Sequence, residues 1–152
     1  EGEIGFVGYA GGAASAGTVP DEAARFARET GVDAMAISIG NVHLQQDTGQ
    51  GLDLDRLREI EALTSVPLVI HGGSGVPIAQ RAALAATSRI CKFNIGTELR
   101  MVFGSALREA LARDPSQFDR IEILRATEDP MTSAARAAIR NLGAHGQAGA
   151  AG

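Results

Sequence analysis

Two of the three histidines stand where a parallel α/β protein would do chemistry. His43 follows the apolar run 32–39 at a short distance, and His71 directly follows the run 66–70. Ligands of such folds meet the C-terminal ends of strands. A neutral imidazole is the commonest protein ligand for zinc, and a catalytic zinc takes three protein ligands and keeps one open position. Two imidazoles at equivalent strand ends supply part of that set. The plainer alternative is that each ring caps a loop by hydrogen bonding. Glu3 is a candidate further metal ligand, with Glu1 on the same strand face, and a solvated strand end is its alternative.

Glycine follows the second histidine at once. Residues 72–75 read Gly-Gly-Ser-Gly, and residues 94–97, one strand later, read Asn-Ile-Gly-Thr. Without β-carbons, successive N–H groups can converge on an oxyanion, and the start of a following helix adds positive potential. Two such strand-to-helix turns side by side suit a phosphate group; two ordinary turns are the alternative. Lys92 is the only lysine among 14 basic residues. It reads either as a Schiff-base nucleophile or as the partner of Glu3 or another acid. Cys91, of opposite strand parity, is expected in the core. His145 lies in the Gly/Ala tail and is given no role.

Strands alternating with helices must position these residues. The pattern predicts strands at Ile4–Val7, 32–39, 66–70 and 89–95. Helices are predicted near 20–30, with Thr18 as cap, at 53–63, 78–86 and 97–113, and at 131–141 after the Asp114-Pro115 break. The order strand–helix–strand, repeated at about 30 residues, means βα units on a parallel sheet. Four strands suit either a doubly wound sheet or half of an eight-stranded barrel.

The 152 residues are enough for one domain or half of a larger one. They are 45% hydrophobic and 21% charged, which indicates a globular core. A net charge of −4 gives no sign of a nucleic-acid or anionic-membrane partner. No run approaches the roughly 20 apolar residues of a membrane span. A single cysteine excludes an internal disulfide and points to the cytoplasm. The start at Glu1, inside a strand-like segment, suggests a piece of a longer protein.

Three ordered motifs, VDAMAISIGNVH at 32–43, VPLVIHGGSG at 66–75 and KFNIGTE at 92–98, resemble the C-terminal half of the class II ketose-bisphosphate aldolases. The resemblance covers nearly the whole chain. It implies a (β/α)8 TIM barrel of which residues 1–142 form the last four βα units with C-terminal helices; residues 143–152 would be a disordered tail. It implies that His43 and His71 ligate a catalytic divalent metal, usually zinc, with Glu3 a second-metal ligand in some members. Gly72, Gly73 and Ser74, with Asn94, Ile95, Gly96 and Thr97, would bind the phosphate and hydroxyketone of dihydroxyacetone phosphate. The implied reaction is reversible aldol cleavage of a fructose or tagatose 1,6-bisphosphate, in a homodimer or homotetramer when complete. The family's third metal histidine and its acid-base aspartate lie in the N-terminal half, so the catalytic set is incomplete here and the chain alone is expected to be inactive. Leu44 stands where a glycine is usual, Gly8–Gly12 replaces an acidic loop, and Gly96 replaces an aspartate of some members. A Schiff-base aldolase using Lys92, and a non-catalytic phosphosugar-binding half-barrel that self-associates, are the other readings.

Overall fold

The computed structural model describes residues 1–46 and 51–149, which divide into two compact units, Glu1–Thr97 and the segment from Glu98 onward. The first unit carries β1 (Gly2–Ile4), β2 (Gly8–Tyr9), α1 (Pro20–Thr30), β3 (Met35–Ile37) and β4 (Val42–His43). It continues with α2 (Leu54–Leu63), β5 (Leu68–Ile70), a 3-10 turn at Gly73–Gly75, α3 (Ile78–Thr87) and β6 (Ile90–Phe93). Four strands form one parallel sheet in the order β1-β3-β5-β6, so spatial order follows chain order without reversal. The expected α/β architecture with a parallel sheet is therefore present.

The core explains this arrangement. Met35, Ile37, Leu68 and Ile70 on β3 and β5 are buried almost completely, together with Leu57 and Ile60 of α2 and Ala23 and Ala27 of α1. Every residue of β3 and β5 is buried, as a parallel strand covered on both faces requires. Helix α2 starts where its sequence says it should: the Asp53 carboxylate accepts the Arg56 N–H at 3.0 Å. Helix α1 closes at Gly31, whose φ of 63° lets its N–H reach back to the Ala27 carbonyl at 3.1 Å.

Three expectations need correction. The first strand spans Gly2–Ile4, not Ile4–Val7, because Gly5 turns the chain at φ 89°. Phe6 then forms an antiparallel bridge to Ala16, and Gly8–Tyr9 pairs in parallel with Val42–His43 as a separate two-stranded sheet. Thr18 does not cap α1; Val19 holds that position without a side-chain cap. The Thr18 hydroxyl is instead buried between strands, donating to the Ile4 carbonyl at 2.8 Å and accepting the Ser38 N–H at 2.8 Å. Cys91 is exposed. The pairing of β5 with β6 slips there: Leu68 faces Ile90 while Val69 faces Lys92, leaving Cys91 out of register and the strand's parity broken.

The second unit holds α5 (Arg120–Arg125), α6 (Glu128–Asn141) and all of α4 (Thr97–Arg113) except its first residue. Asp114 ends α4 as expected, its carboxylate taking the Ser116 N–H at 3.1 Å and hydroxyl at 2.7 Å. Asp119 caps α5 through the Ile121 N–H at 2.8 Å. After α6 the chain bends at Gly143, φ 71°, and Ala144 donates to the Ile139 carbonyl at 3.1 Å. The last three residues of the expected tail, and residues 47–50 of the polar loop before α2, lie outside the described residues.

Candidate metal and substrate site

The two histidines are joined through the backbone by Asn41. Its side-chain oxygen accepts the Ile39 N–H at 2.8 Å, and its amide donates to the Ile37 carbonyl at 3.2 Å and the His71 carbonyl at 3.0 Å. At 2% exposure it is inside the protein, so the end of β3 is pinned to the end of β5. The Asn41 carbonyl in turn accepts the Ser15 hydroxyl at 2.7 Å, whose oxygen takes the Gly8 N–H at 3.0 Å. This chain of bonds sets β2 beside β4, where Ala10 donates to the His43 carbonyl at 2.9 Å. The Tyr9 and His43 rings then lie 5.1 Å apart, and the His43 and His71 rings 5.9 Å apart at 53°. Leu44 follows at φ 57° and is half exposed, holding with a leucine a left-handed conformation that glycine adopts freely.

Two carboxylates from β1 and the preceding residue complete the cluster. Glu3 Oε1 lies 3.6 Å from His71 Nδ1, Glu1 Oε1 lies 3.3 Å from His71 Nε2, and Lys92 Nζ donates to Glu1 Oε2 at 2.7 Å. The Lys92 ammonium, and after it His71, hold the Glu1 carboxyl below the usual carboxylate range. Burial lowers the pKa of His43 from its ordinary value, the charge of His71 lowers it further, and Glu3 partly opposes both. A neutral ring has a lone pair to offer a metal. The donor chemistry thus fits a divalent cation. Among the described residues, however, no group of three or more His, Cys, Asp or Glu is arranged to hold one by itself.

The glycine-rich turn packs tightly against this cluster. Gly72 has φ 64°, and a β-carbon there would stand 2.3 Å from the Val42 carbonyl oxygen, so only glycine lets the turn pass this close to β4. Gly73 donates to the Asn94 carbonyl at 2.9 Å and Asn94 to the Ile70 carbonyl at 2.9 Å. The segments after β5 and β6 are laced together in this way. Ser74, Ile95, Gly96 and Thr97 are half-buried. The N–H groups of Gly73, Gly75 and Val76 all bond to backbone carbonyls. Beneath the turn, Arg81 of α3 is 2% exposed and its guanidinium donates to the Gly73 carbonyl at 3.4 Å. A cleft of about 320 Å³ adjoins the turn, lined by Asn41, Val42, Gln45, Leu52, Gly72 and Val76 among others; neither imidazole lines it.

The candidate ligands His43, His71 and Glu3 therefore come together, and the two candidate phosphate segments lie side by side. Lys92 has an acidic partner, as one of its readings required; the acid is Glu1, and the lysine is exposed where that reading had it buried. Sequence reasoning set Glu1 beside Glu3 on one strand face but did not foresee its contacts with His71 and Lys92, and it gave no place in the cluster to Asn41 or Arg81, which carried no local signal.

A parallel α/β sheet with paired strand-end histidines defines a class, and comparison with known proteins narrows it. The profile of the family "Fructose-bisphosphate aldolase class-II" matches residues 1–147. A fructose-bisphosphate aldolase of Geobacillus stearothermophilus is 34% identical over 131 residues, 85% of this chain and 45% of that protein. Among solved structures, the YdjI aldolase of Escherichia coli K12 superposes with a TM-score of 0.67 at 32% identity, over 88% of this chain and 46% of that one. A fructose-bisphosphate aldolase of Campylobacter jejuni gives 0.67 at 24% identity, over 84% and 45%. The chain belongs to the class II fructose-bisphosphate aldolase family, and it spans about half the length of the relatives it matches. Among the described residues no helix is long and apolar enough to cross a membrane.

Proposed function

We propose that this chain supplies the C-terminal half of a (β/α)8 barrel that performs zinc-dependent aldol cleavage and condensation of a ketose 1,6-bisphosphate. The observation that carries the proposal is the meeting of His43 and His71, rings 5.9 Å apart, at neighbouring strand ends with Glu3 alongside. The unreversed strand order supports an arc of a barrel over a doubly wound sheet, whose order reverses at its centre. His43 and His71, with Glu3, would hold the metal. When bound, a Lewis acid at this place polarises the ketose carbonyl and stabilises the negative charge that develops as the C3–C4 bond breaks. Gly72, Gly73, Ser74 and the segment 94–97 would orient the phosphate end of the substrate beside the histidines. The third imidazole and the acid-base carboxylate come, in this reading, from the other half of the barrel. Residues 1–142 belong to the barrel, and the complete enzyme is a cytoplasmic homo-oligomer.

Zinc titration of the chain, of His43→Ala and of His71→Ala tests the assignment. Weak binding that disappears in both variants is expected; binding that survives both would remove it. Cleavage of fructose 1,6-bisphosphate by this chain alone at an ordinary rate would show that the catalytic set is not divided. The Schiff-base alternative has less support, because the Lys92 ammonium is bound to Glu1. Borohydride treatment with substrate is expected to leave Lys92 unmodified.

A further inference from the structure

His71 has a carboxylate against each ring nitrogen, and the two contacts differ. Glu1 Oε1 stands 3.3 Å from Nε2 in hydrogen-bonding geometry, whereas Glu3 Oε1 stands 3.6 Å from Nδ1, too far for such a bond. An ionised carboxylate only accepts, so the nitrogen bonded to Glu1 carries the proton and, in a neutral ring, Nδ1 keeps its lone pair. Nδ1 and Glu3 Oε1 then face each other as two electron-pair donors. Two ligands, each bound to zinc at the usual distance and tetrahedral angle, stand on the order of 3.4 Å apart. The observed 3.6 Å is close to that edge. The second oxygen of Glu1 accepts from Lys92 at 2.7 Å, which fixes the carboxylate from behind.

We propose that Lys92 and Glu1 form a positioning relay for His71, in which Lys92 anchors Glu1 and Glu1 accepts the hydrogen bond of the Nε2–H so that Nδ1 is turned toward the metal position. Neither Glu1 nor Lys92 ligates the metal. Carboxylates placed behind ligating imidazoles fix tautomer and orientation, and losing them typically costs 10–100-fold in affinity. This assignment rests on the metal reading above and gives the lone lysine of the chain a role distinct from covalent catalysis.

The decisive feature is a sign. If Lys92 acted only through its charge, removing it would tighten a nearby cation; in a relay, removing it frees Glu1 and weakens binding. Zinc affinity of the full chain, measured by chelator competition, is expected to fall about 10–100-fold in Glu1→Ala. It should fall less in Glu1→Gln, whose amide oxygen can still accept the hydrogen bond from the Nε2–H. Lys92→Met is expected to lower affinity severalfold, with no added loss in the Glu1→Ala background. Tighter or unchanged binding in Lys92→Met overturns the relay, as does a Glu1→Gln loss as deep as that of Glu1→Ala. A second readout needs no metal: ¹⁵N NMR of the His71 ring should show Nε2 protonated, with its hydrogen-bonded signal lost in Glu1→Ala. Absence of zinc binding in the unmodified chain would overturn the metal reading, and the relay with it, even if the NMR result stood. Zinc binding with Nδ1 protonated, or with an Nε2 signal indifferent to Glu1→Ala, would overturn the relay alone.

Discussion

Strands β5 and β6 lie side by side, run in parallel and both lead into glycine-containing turns of the site, yet they are built differently. Leu68, Val69 and Ile70 of β5 are wholly buried between β3 and β6. In β6 only Ile90 is buried, Cys91 and Lys92 are exposed, and among the described residues its one sheet neighbour is β5. The central strand makes a stiff mount for His71, whose backbone carbonyl is gripped by Asn41. The edge strand, with its slipped register at Cys91, frees Lys92 to reach across to Glu1. The cluster thus takes a fixed imidazole from a strand in the interior and an adjustable charge from one at the margin.

The largest expected effect separates the two strands directly. Ile70→Ala should cost about 2–5 kcal/mol in denaturant unfolding, since it empties a fully packed position. Equal sensitivity at Cys91 would break the contrast.

Gly72→Ala sharpens it at the β5 end. The new methyl meets the Val42 carbonyl and the backbone sits at positive φ, so a loss of about 1–3 kcal/mol and weakened zinc binding are expected. Gly31→Ala is the control: its φ is also positive but nothing lies within 4 Å of the added carbon, so a smaller loss is expected on melting.

Asn41→Ala removes the tie between β3 and β5 and leaves the Ile39 N–H and His71 carbonyl without this partner. About 1–3 kcal/mol of stability should be lost, with faster amide exchange at Ile39 as the local check. The smallest effect belongs to β6. Cys91→Ser should change stability by no more than about 0.5 kcal/mol, and the native thiol should react with a maleimide without unfolding.

Much of the framework was legible in the chain itself. The apolar runs ending at Ile39 and Ile70 marked the two central strands because both faces of a parallel strand are buried. The helical spacing of Leu54, Leu57 and Ile60 marked α2, and α4 runs from Thr97 to Arg113 as expected. The meeting of His43 with His71 was foreseeable from their places after successive apolar runs, although His43 lies not at the end of β3 but on β4, in the separate two-stranded sheet. Two-residue strands such as β2 and β4 leave no period to detect. Thr18 looked like a cap because its true partners, Ile4 and Ser38, come from strands far away in sequence.

What the sequence alone determined was the order of elements, the parallel class of the sheet and the residue types gathered at one end of it. Those follow from short-range periodicity, caps and the chemistry of side chains. Which acid meets Lys92, which face Cys91 takes and what holds His71 in place were decided only by tertiary structure. A one-residue slip in strand pairing reverses facing, and a hydrogen bond between Glu1 and Lys92 closes across almost the whole first unit. Local sequence carries no record of such long-range closures, because each depends on where the other strands come to rest.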